Sequence, residues 1–289
     1  MNIIVTGSAG FVASDLIPRL NALGHTTIGI DVNDESLSTV FIKHDLTEDF
    51  CDELPKAEMV IHLASSVGGI IYNFSKNDII EINNRINQVV IDLCLRSGCS
   101  GAIFFSTINV FEDEKTFLHQ KISKMGQKSG YAISKVHGEW AFARAFARLV
   151  VIRPTNIFGK CQIRRHERVG ESHVIPDLLK KIDESDELFV MGDGSQIRNF
   201  VHVNDITRFV AKNLDFRGHQ YWNLRSDITL NIKRLAYELL AFRNKKMTVS
   251  YQPEYMKYEL FRIADFEMDL PNKAGYEVLV NSISQGLQL

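Results

Sequence analysis

Residues 1–13 are Met-Asn-Ile-Ile-Val-Thr-Gly-Ser-Ala-Gly-Phe-Val-Ala, and this stretch decides the fold. Asn2 to Thr6 have the apolar character of a short buried strand. Gly7, Gly10 and Ala13 follow at the spacing of a phosphate-binding turn that leads into a helix. In such a turn the first glycine permits the bend, the second lets the backbone approach a pyrophosphate, and the small third residue lets the helix pack on the strand. The helix N-terminus adds N–H groups and a partial positive charge beside the anion.

The next acidic residue distinguishes a dinucleotide site from an ordinary strand, turn and helix. A helix is predicted over residues 12–23, Gly24 ends it, and a second strand over residues 26–30 leads to Asp31. A carboxylate about 20 residues beyond the glycines is where dinucleotide-binding proteins hold the ribose 2′-hydroxyl. The same carboxylate would repel the 2′-phosphate of NADP, so the sequence predicts an NAD site.

Composition and charge limit the class of protein. The 289 residues suit one large α/β domain, or a large domain with a smaller appendix. The chain has the composition of an ordinary globular protein, and a formal net charge of −2 gives no electrostatic reason to bind nucleic acid or an anionic membrane. No apolar run approaches the roughly 20 residues of a membrane span, and no leader-like segment precedes the first strand. We expect neither nucleic acid nor a membrane as a partner.

The four cysteines indicate a reducing environment. Cys51, Cys94, Cys99 and Cys161 lack the spacing of metal ligands and need not form disulfides. We therefore expect no metal site and a cytoplasmic location.

Strands alternate with helices as far as residue 153. Further strands are predicted at 41–43, 58–63, 102–105 and 149–152, and further helices at 77–96 and 131–148. This alternation predicts an α/β fold with a doubly wound parallel sheet, and ligands at the carboxyl ends of its strands. Residues 1–153 are the predicted dinucleotide-binding Rossmann domain.

The alternation is less regular beyond residue 153, where we expect a smaller C-terminal α/β lobe for the substrate, residues 154–289. Strands are predicted at 188–190, 200–203, 221–224 and 248–251, and helices after Pro176, from Asn204 or Asp205 to Leu214, and at 232–242. The strand near 200–203 is a candidate for completing the first sheet.

The segment Tyr131-Ala-Ile-Ser-Lys135 places a tyrosine and a lysine on one face of a helix. A lysine ammonium about 4 Å away favours the phenolate by roughly 4 kcal/mol at an effective dielectric constant of 20, before desolvation is subtracted. The spacing alone also fits a core aromatic residue beside a surface lysine. The position favours proton transfer, because the pair follows a fifth strand that ends in Ser106-Thr107, whose hydroxyl could share a substrate oxygen with Tyr131.

The chain resembles a known family, the extended short-chain dehydrogenase/reductases that act as nucleotide-sugar epimerases, dehydratases and reductases. The resemblance covers nearly the whole chain and lies in Thr6-Gly-Ser-Ala-Gly-Phe11, Asp31, Asp45-Leu46, Ile61-His-Leu-Ala64, Ser106-Thr107, Tyr131-Ala-Ile-Ser-Lys135 and Arg153-Pro-Thr-Asn-Ile-Phe-Gly159. Three more stretches are similar to the GDP-fucose synthases in particular: Val67-Gly-Gly-Ile70, Ser172-His-Val-Ile-Pro176 and Met191-Gly-Asp-Gly-Ser-Gln-Ile-Arg-Asn-Phe-Val-His-Val203.

The resemblance implies a role for each matching residue. Thr107 would orient the substrate hydroxyl, Tyr131 would transfer its proton, and Lys135 would bind the nicotinamide ribose and lower the pKa of Tyr131. The implied cofactor-binding residues, besides Tyr131 and Lys135, are Gly7, Gly10, Phe11, Val12, Asp31, Asp45, Leu46, Leu63, Ala64, Ser65 and Asn84. The implied substrate-binding residues are Asn109, Asn156, His173, Arg198 and Arg262. Asn156, Arg198 and Arg262 would bind the nucleotide diphosphate, and a homodimer joined through the long helices is implied as well.

The chain departs from the GDP-fucose synthases at Asn109 and Asp31. The synthases pair a cysteine with a histidine to epimerise carbons beside a ketone. Here His173 matches the histidine, but Asn109 replaces the cysteine and cannot act as a general base. The 4,6-dehydratases of the family have an acidic pair where this chain has Ile108-Asn109. Asp31 disfavours the NADPH that a reductase would use.

These features favour an NAD-dependent nucleotide-sugar epimerase, in which a hydroxyl is oxidised to a transient ketone and reduced again. The alternative is a nucleotide-sugar 4-ketoreductase or synthase that consumes NAD(P)H. A third hypothesis, a regulator that binds NAD without turnover, is disfavoured because Thr107, Tyr131 and Lys135 are all intact.

Overall fold

The structure is a computed structural model that describes residues 1–51, 53–69, 72–73, 78–111, 129–159, 173–226 and 228–258. Seven parallel strands form its central sheet. In spatial order they are β10 (His219–Leu224), β6 (Arg148–Pro154), β5 (Gly101–Phe105), β4 (Met59–His62), β1 (Asn2–Thr6), β2 (Thr26–Asp31) and β3 (Val40–Lys43). The strand order reverses direction at β1, which is where doubly wound sheets bind their ligands.

Helices cover both faces of this sheet. On one face lie α1 (Phe11–Ala22) and α5 (Val203–Lys212), and on the other lie α2 (Ile79–Ser97) and α3 (Gly130–Ala145). Alternate residues of β1 point to opposite faces, so Ile3 packs with the α1 and α5 side while Ile4 packs with the α2 and α3 side. The predicted fold class is confirmed.

The remaining elements build the smaller lobe. They are β7 (Asn156–Phe158), α4 (Val174–Glu184), β8 (Glu187–Met191), β9 (Ile197–His202), β11 (Ile228–Asn231), α6 (Ile232–Phe242) and β12 (Thr248–Gln252). Strands β11, β9 and β7 form one small sheet, and β12 pairs with β8. The lobe has its own apolar core, in which Leu178 and Ile182 of α4 pack with Leu235 and Leu239 of α6.

The prediction that a strand near 200–203 completes the central sheet is wrong. The seventh strand is β10, which pairs in parallel with β6, whereas β9 pairs with β7 and β11. The buried Asn199 of β9 explains this placement. Its side-chain amide meets Thr155, the backbone of Ser226 and Thr229, and these partners lie in the lobe or in the connections that enter it. Because α5 and β10 return to the central sheet, the boundary at residue 153 stays a prediction.

Two helix ends differ from the sequence prediction. Helix α3 stops at Ala145, because Phe146 is extended and Arg148 already begins β6. Helix α5 begins at Val203, and its N-cap is His202 rather than Asn204 or Asp205. The His202 Nδ1 atom accepts a hydrogen bond from the Asn204 N–H at 3.1 Å. Among the helices of the described ranges, none has the length and apolar character needed to cross a bilayer.

Candidate active site

A cavity of about 360 Å³ opens at the carboxyl ends of the central strands, between the sheet and the small lobe. Its walls come from the turn after β1, the loop after β4, the end of β5 and the first turns of α3. The lobe adds β7, the start of α4 and the segment from β8 to β9. The predicted site residues that line it are Gly7, Gly10, Phe11, Val12, Leu63, Ser65, Thr107, Asn109, Tyr131, Lys135, Asn156, His173 and Arg198.

The turn after β1 has the shape that a dinucleotide phosphate requires. Gly7 has φ of +69°, and a Cβ atom there would lie 2.7 Å from the backbone nitrogen of Ala64. The Gly7 N–H donates to the Ile30 carbonyl at 2.9 Å, and the Gly10 N–H donates to the Gly7 carbonyl at 2.9 Å. Helix α1 starts at Phe11, so the N–H groups of its first turn face the cavity side of this turn. The residues present therefore fit NAD.

Asp31 stands at the end of β2, beside this turn. One carboxylate oxygen accepts the Ala9 N–H at 3.0 Å, and the other accepts the Asn33 N–H at 3.0 Å. These bonds hold the carboxylate next to the phosphate-binding turn, which is the position predicted for a ribose contact. Its charge disfavours a 2′-phosphate at the same place.

The other predicted cofactor residues differ in their surroundings. Ala64 lies directly under Gly7 through its backbone. Asp45 follows β3, and its carboxylate accepts the Thr47 N–H and hydroxyl at 2.9 and 2.8 Å, which lowers the pKa of Asp45. Leu46 is buried in the core beneath α2. Neither Asp45 nor Leu46 lines the cavity, so their contact with adenine stays a prediction.

The structure does not bring Asn84 to the cavity. Its amide nitrogen lies 3.2 Å from His137 Nδ1, between α2 and α3. The neighbouring Asn83 instead contacts the loop after β4, which includes the cavity-lining Ser65. Its Oδ1 accepts the Ser66 N–H at 2.7 Å and the Ser65 hydroxyl at 3.2 Å, and its Nδ2 donates to Ser134 Oγ at 2.9 Å.

Asn83 thereby fixes the loop after β4. The sequence pattern of α2 indicated that Asn83 is buried and hydrogen-bonded. Ile79, Asn83, Ile86 and Val90 share one face of α2, and all four are buried. An amide within an apolar helical stripe needs hydrogen-bond partners.

Thr107, Tyr131 and Lys135 all line the cavity. Thr107 is the second residue after β5 and caps a short turn, Ile108–Val110, by accepting the Asn109 N–H at 3.3 Å. The Lys135 Nζ atom donates to the Phe105 carbonyl at 2.9 Å and lies 5.6 Å from the centre of the Tyr131 ring. Ser129 caps α3 by accepting the Ala132 N–H at 3.2 Å, which fixes the first turn of the helix that carries Tyr131.

Burial is the largest influence on the pKa values of Tyr131 and Lys135. Desolvation lowers the pKa of Lys135 to about 7, although the carboxylate of Glu139 acts in the opposite direction. Desolvation raises the pKa of Tyr131 above its usual value. The prediction of a lowered Tyr131 pKa is therefore wrong for this structure, because the loss of water around the phenol sets the direction of the change.

The lobe side of the cavity carries the predicted substrate residues. Asn156 donates from its amide to the Asn199 carbonyl at 2.9 Å, and Arg198 donates to the Ile197 carbonyl at 2.8 Å. His173 is exposed at the N-cap of α4, and Asn109 lies opposite on the β5 side. Arg262 lies outside the described residues.

Further polar residues line the lobe side and were not predicted, among them Asp177, Lys181 and Gln196. The Lys181 ammonium lies 2.7 Å from an Asp177 oxygen and donates to the Phe189 carbonyl at 3.2 Å. The Gln196 amide donates to the Met191 carbonyl at 3.0 Å. The i, i+4 spacing of Asp177 and Lys181 was the available signal, but such pairs usually lie on solvated helix faces.

Residues 3–224 match the NAD dependent epimerase/dehydratase family. The chain belongs to this family. The resemblance found in the sequence is thereby confirmed, and with it the assignment of the protein to the NAD(P)-dependent enzymes of the extended short-chain dehydrogenase/reductase type.

Individual relatives cover most of the chain. It is 28% identical over 275 residues to a probable GDP-L-fucose synthase 1 of Oryza sativa subsp. japonica, which covers 87% of this chain and 81% of the relative. It is 24% identical to a dTDP-4-dehydro-6-deoxy-D-allose reductase of Streptomyces bikiniensis, with 87% and 84% covered. In fold it is similar to a UDP-glucose 4-epimerase of Thermotoga maritima solved with UDP-glucose, with a TM-score of 0.78, 21% identity and the full length of both chains covered.

Proposed function

We propose that the protein is an NAD-dependent nucleotide-sugar epimerase. One observation carries the proposal: Thr107, Tyr131 and Lys135 share a single cavity with the phosphate-binding turn on one side and Asn156 and Arg198 on the other. A nucleotide sugar bound by its diphosphate at the lobe would extend its sugar towards the hydroxyl of Tyr131.

NAD, when bound, supplies the acceptor and donor of a hydride. The chain supplies the proton chemistry. Thr107 and Tyr131 bind the oxygen of one sugar hydroxyl, and Tyr131 takes its proton as the carbon–oxygen bond becomes a carbonyl. The phenol formed in this way then returns the proton to that oxygen after the sugar has presented its other face. While the sugar hydroxyl is oxidised, the ammonium form of Lys135 stabilises the phenolate form of Tyr131.

Asn109 limits which carbon is inverted. Its amide does not remove protons, so the pair needed to epimerise a carbon beside a ketone is incomplete here. The proposal therefore places inversion at the carbon that carries the oxidised hydroxyl. A 4-ketoreductase is the second candidate, and the similarity to a dTDP-4-dehydro-6-deoxy-D-allose reductase favours it.

A substrate panel distinguishes the two candidates. The protein is incubated with NAD and UDP-, GDP- or dTDP-hexoses, and separately with the 4-keto nucleotide sugars and NADH or NADPH. Products are separated by chromatography. An epimerase gives an isomeric nucleotide sugar with no net change in reduced cofactor. A ketoreductase acts on a 4-keto sugar and oxidises one equivalent of NADH or NADPH for each product. Turnover that always consumes reduced cofactor would contradict the epimerase.

Arg198→Ala is expected to weaken nucleotide-sugar binding by roughly 1.5–3 kcal/mol, the range for hydrogen bonds to charged groups, and to leave NAD affinity unchanged. Calorimetric titration measures both affinities. Arg208→Ala is the matched control, because Arg208 is an exposed arginine of α5 that bonds Asn204 away from the cavity. If Arg198→Ala and Arg208→Ala bind the substrate equally well, the diphosphate is held elsewhere.

We also propose a homodimer joined through α2 and α3 and a cytoplasmic location. Trp140 of α3 is 51% exposed and stacks on His137, with ring centres 6.2 Å apart, so an apolar surface is available on this helix pair. Sedimentation equilibrium of the full chain measures the mass.

Cys94 and Cys99 are buried free thiols, as expected of a protein kept in a reducing compartment.

A further inference from the structure

A buried ion pair lies directly behind the proposed catalytic residues. Glu139 of α3 and Arg153 of β6 have side chains that are 2% and 3% exposed. Arg153 Nε donates to Glu139 Oε1 at 2.9 Å, and an Nη atom donates to Oε2 at 2.5 Å. The guanidinium also lies between the rings of Phe111 and Tyr221, 5.0 Å from each centre. The pair is therefore held by two hydrogen bonds, and its guanidinium contacts two aromatic rings.

Glu139 connects this pair to the strand end that carries Thr107. Its Oε1 also accepts the hydroxyl of Ser106 at 2.5 Å. Ser106 precedes Thr107, and its N–H donates to the Ile152 carbonyl at 2.7 Å, one residue before Arg153. One carboxylate thus joins the ends of β5 and β6 to the middle of α3.

Glu139 is also one helical turn beyond Lys135. The groups that face the Lys135 ammonium are Tyr131 and Glu139 on its own helix, His62 on β4 and the Phe105 carbonyl on β5. Burial lowers the pKa of His62 to about 3, so this imidazole is neutral. Glu139 is then the negative group that favours the ammonium, and its partner Arg153 is the nearby cation.

A buried ion pair is weak evidence for stability, because the cost of desolvation offsets the attraction. Both charges are retained beside the catalytic residues, and two of the three elements that Glu139 connects carry those residues. A catalytic purpose accounts for this placement better than stabilisation does.

We propose that Glu139 is a positioning residue of the active site. Through Ser106 it fixes the strand end that carries Thr107, and its charge keeps Lys135 in the ammonium form. The inference rests on the proposed function for the purpose of Thr107, but the effect on Lys135 concerns NAD binding and requires no sugar.

The test is the pH dependence of NAD affinity in the wild type and in Glu139→Gln, measured by calorimetry from about pH 4 to pH 9, a range that includes the shifted midpoint. Lys135 is charged below its pKa, so affinity should fall as pH rises through that value. Loss of the carboxylate leaves Arg153 as a nearby cation and lowers the pKa of Lys135. The midpoint should move down by about 1–3 pH units, the usual effect of one charge at short range, and affinity should recover towards the wild-type value at low pH.

Ser106→Ala separates the two parts of the proposal. It removes the hydroxyl bond and keeps the charge, so the midpoint of NAD affinity should stay in place while kcat falls without an equal rise in KM. A structural role alone would change thermal stability and leave the midpoint unmoved in both variants.

The double variant Glu139→Met with Arg153→Met covers the case in which Glu139→Gln fails to fold, because replacing a whole buried pair by apolar residues is often tolerated. It should show a smaller downward shift than Glu139→Gln, because it removes the Glu139 charge that acts on Lys135 and also the Arg153 cation that the single variant leaves behind. The proposal is overturned if the wild-type affinity is independent of pH, or if a folded charge-removing variant keeps the wild-type midpoint. A shift in NAD affinity without turnover of any sugar would instead overturn the proposed function alone.

Discussion

Tyr131→Phe is expected to fold normally, to bind NAD with nearly unchanged affinity, and to lose turnover by about 10²–10⁴-fold, the usual contribution of a general acid–base group. The hydroxyl proton must leave the substrate as the hydride departs, because a protonated ketone would otherwise form. Tyr131 is the hydroxyl that α3 places beside Thr107 and Lys135 in the cavity. The variant removes this single oxygen and keeps the packing of the ring.

Turnover on the substrate identified by the panel is compared with that of Tyr237→Phe. Tyr237 is 51% exposed on α6 and does not line the cavity, so its hydroxyl should be dispensable. Thermal melts of both variants exclude misfolding. A folded Tyr131→Phe protein with most of its activity would contradict the proton-transfer role, whatever reaction the enzyme catalyses.

Much of the fold followed from the sequence because the first five strands are short apolar runs between clear turns. The spacing of apolar residues in α2 predicted that helix. The turn at Gly7 after β1 indicated which end of the sheet carries the ligand site. The two strands that were missed, β7 and β11, contain three and four residues and offer too little periodicity to recognise. The seventh strand was misassigned because β9 and β10 are both apolar in part, and only the partners of Asn199 decide which of them joins the lobe.

Site residues could be predicted from the sequence where the function requires one type of side chain. Properties that depend on neighbouring side chains in the folded chain could not be predicted. A positive φ favours glycine at position 7, and a ribose contact requires a carboxylate at position 31, so the spacing of these two residues was informative. The raised pKa of Tyr131 follows from burial, which sequence spacing does not reveal. Arg153 began a stretch that resembles the family, but nothing in the sequence connected it with Glu139. Their pairing depends on two elements that meet only in the folded chain.

Gly7→Ala should be the most damaging change on the cofactor side. A residue with a side chain at φ of +69° costs about 1–2 kcal/mol in strain. The new Cβ would also lie 2.7 Å from the Ala64 nitrogen and 2.9 Å from the Leu63 carbonyl carbon, and forcing atoms into packed surroundings costs about 1–3 kcal/mol more. Because both contacts are backbone atoms, the turn or the loop after β4 must move. A displaced turn should weaken NAD binding by roughly 10–100-fold.

Gly24→Ala is a control that introduces the same kind of backbone strain as Gly7→Ala without the steric clash. Gly24 has φ of +81°, close to that of Gly7, but within the described residues no atom lies within 4 Å of the position its Cβ would take. It should therefore lose about 1–2 kcal/mol of unfolding free energy to strain and keep wild-type NAD affinity. Urea unfolding and calorimetric titration with NAD measure the two effects. Equal NAD affinities in the two variants would show that the close approach of Gly7 to Ala64 does not shape the cofactor site.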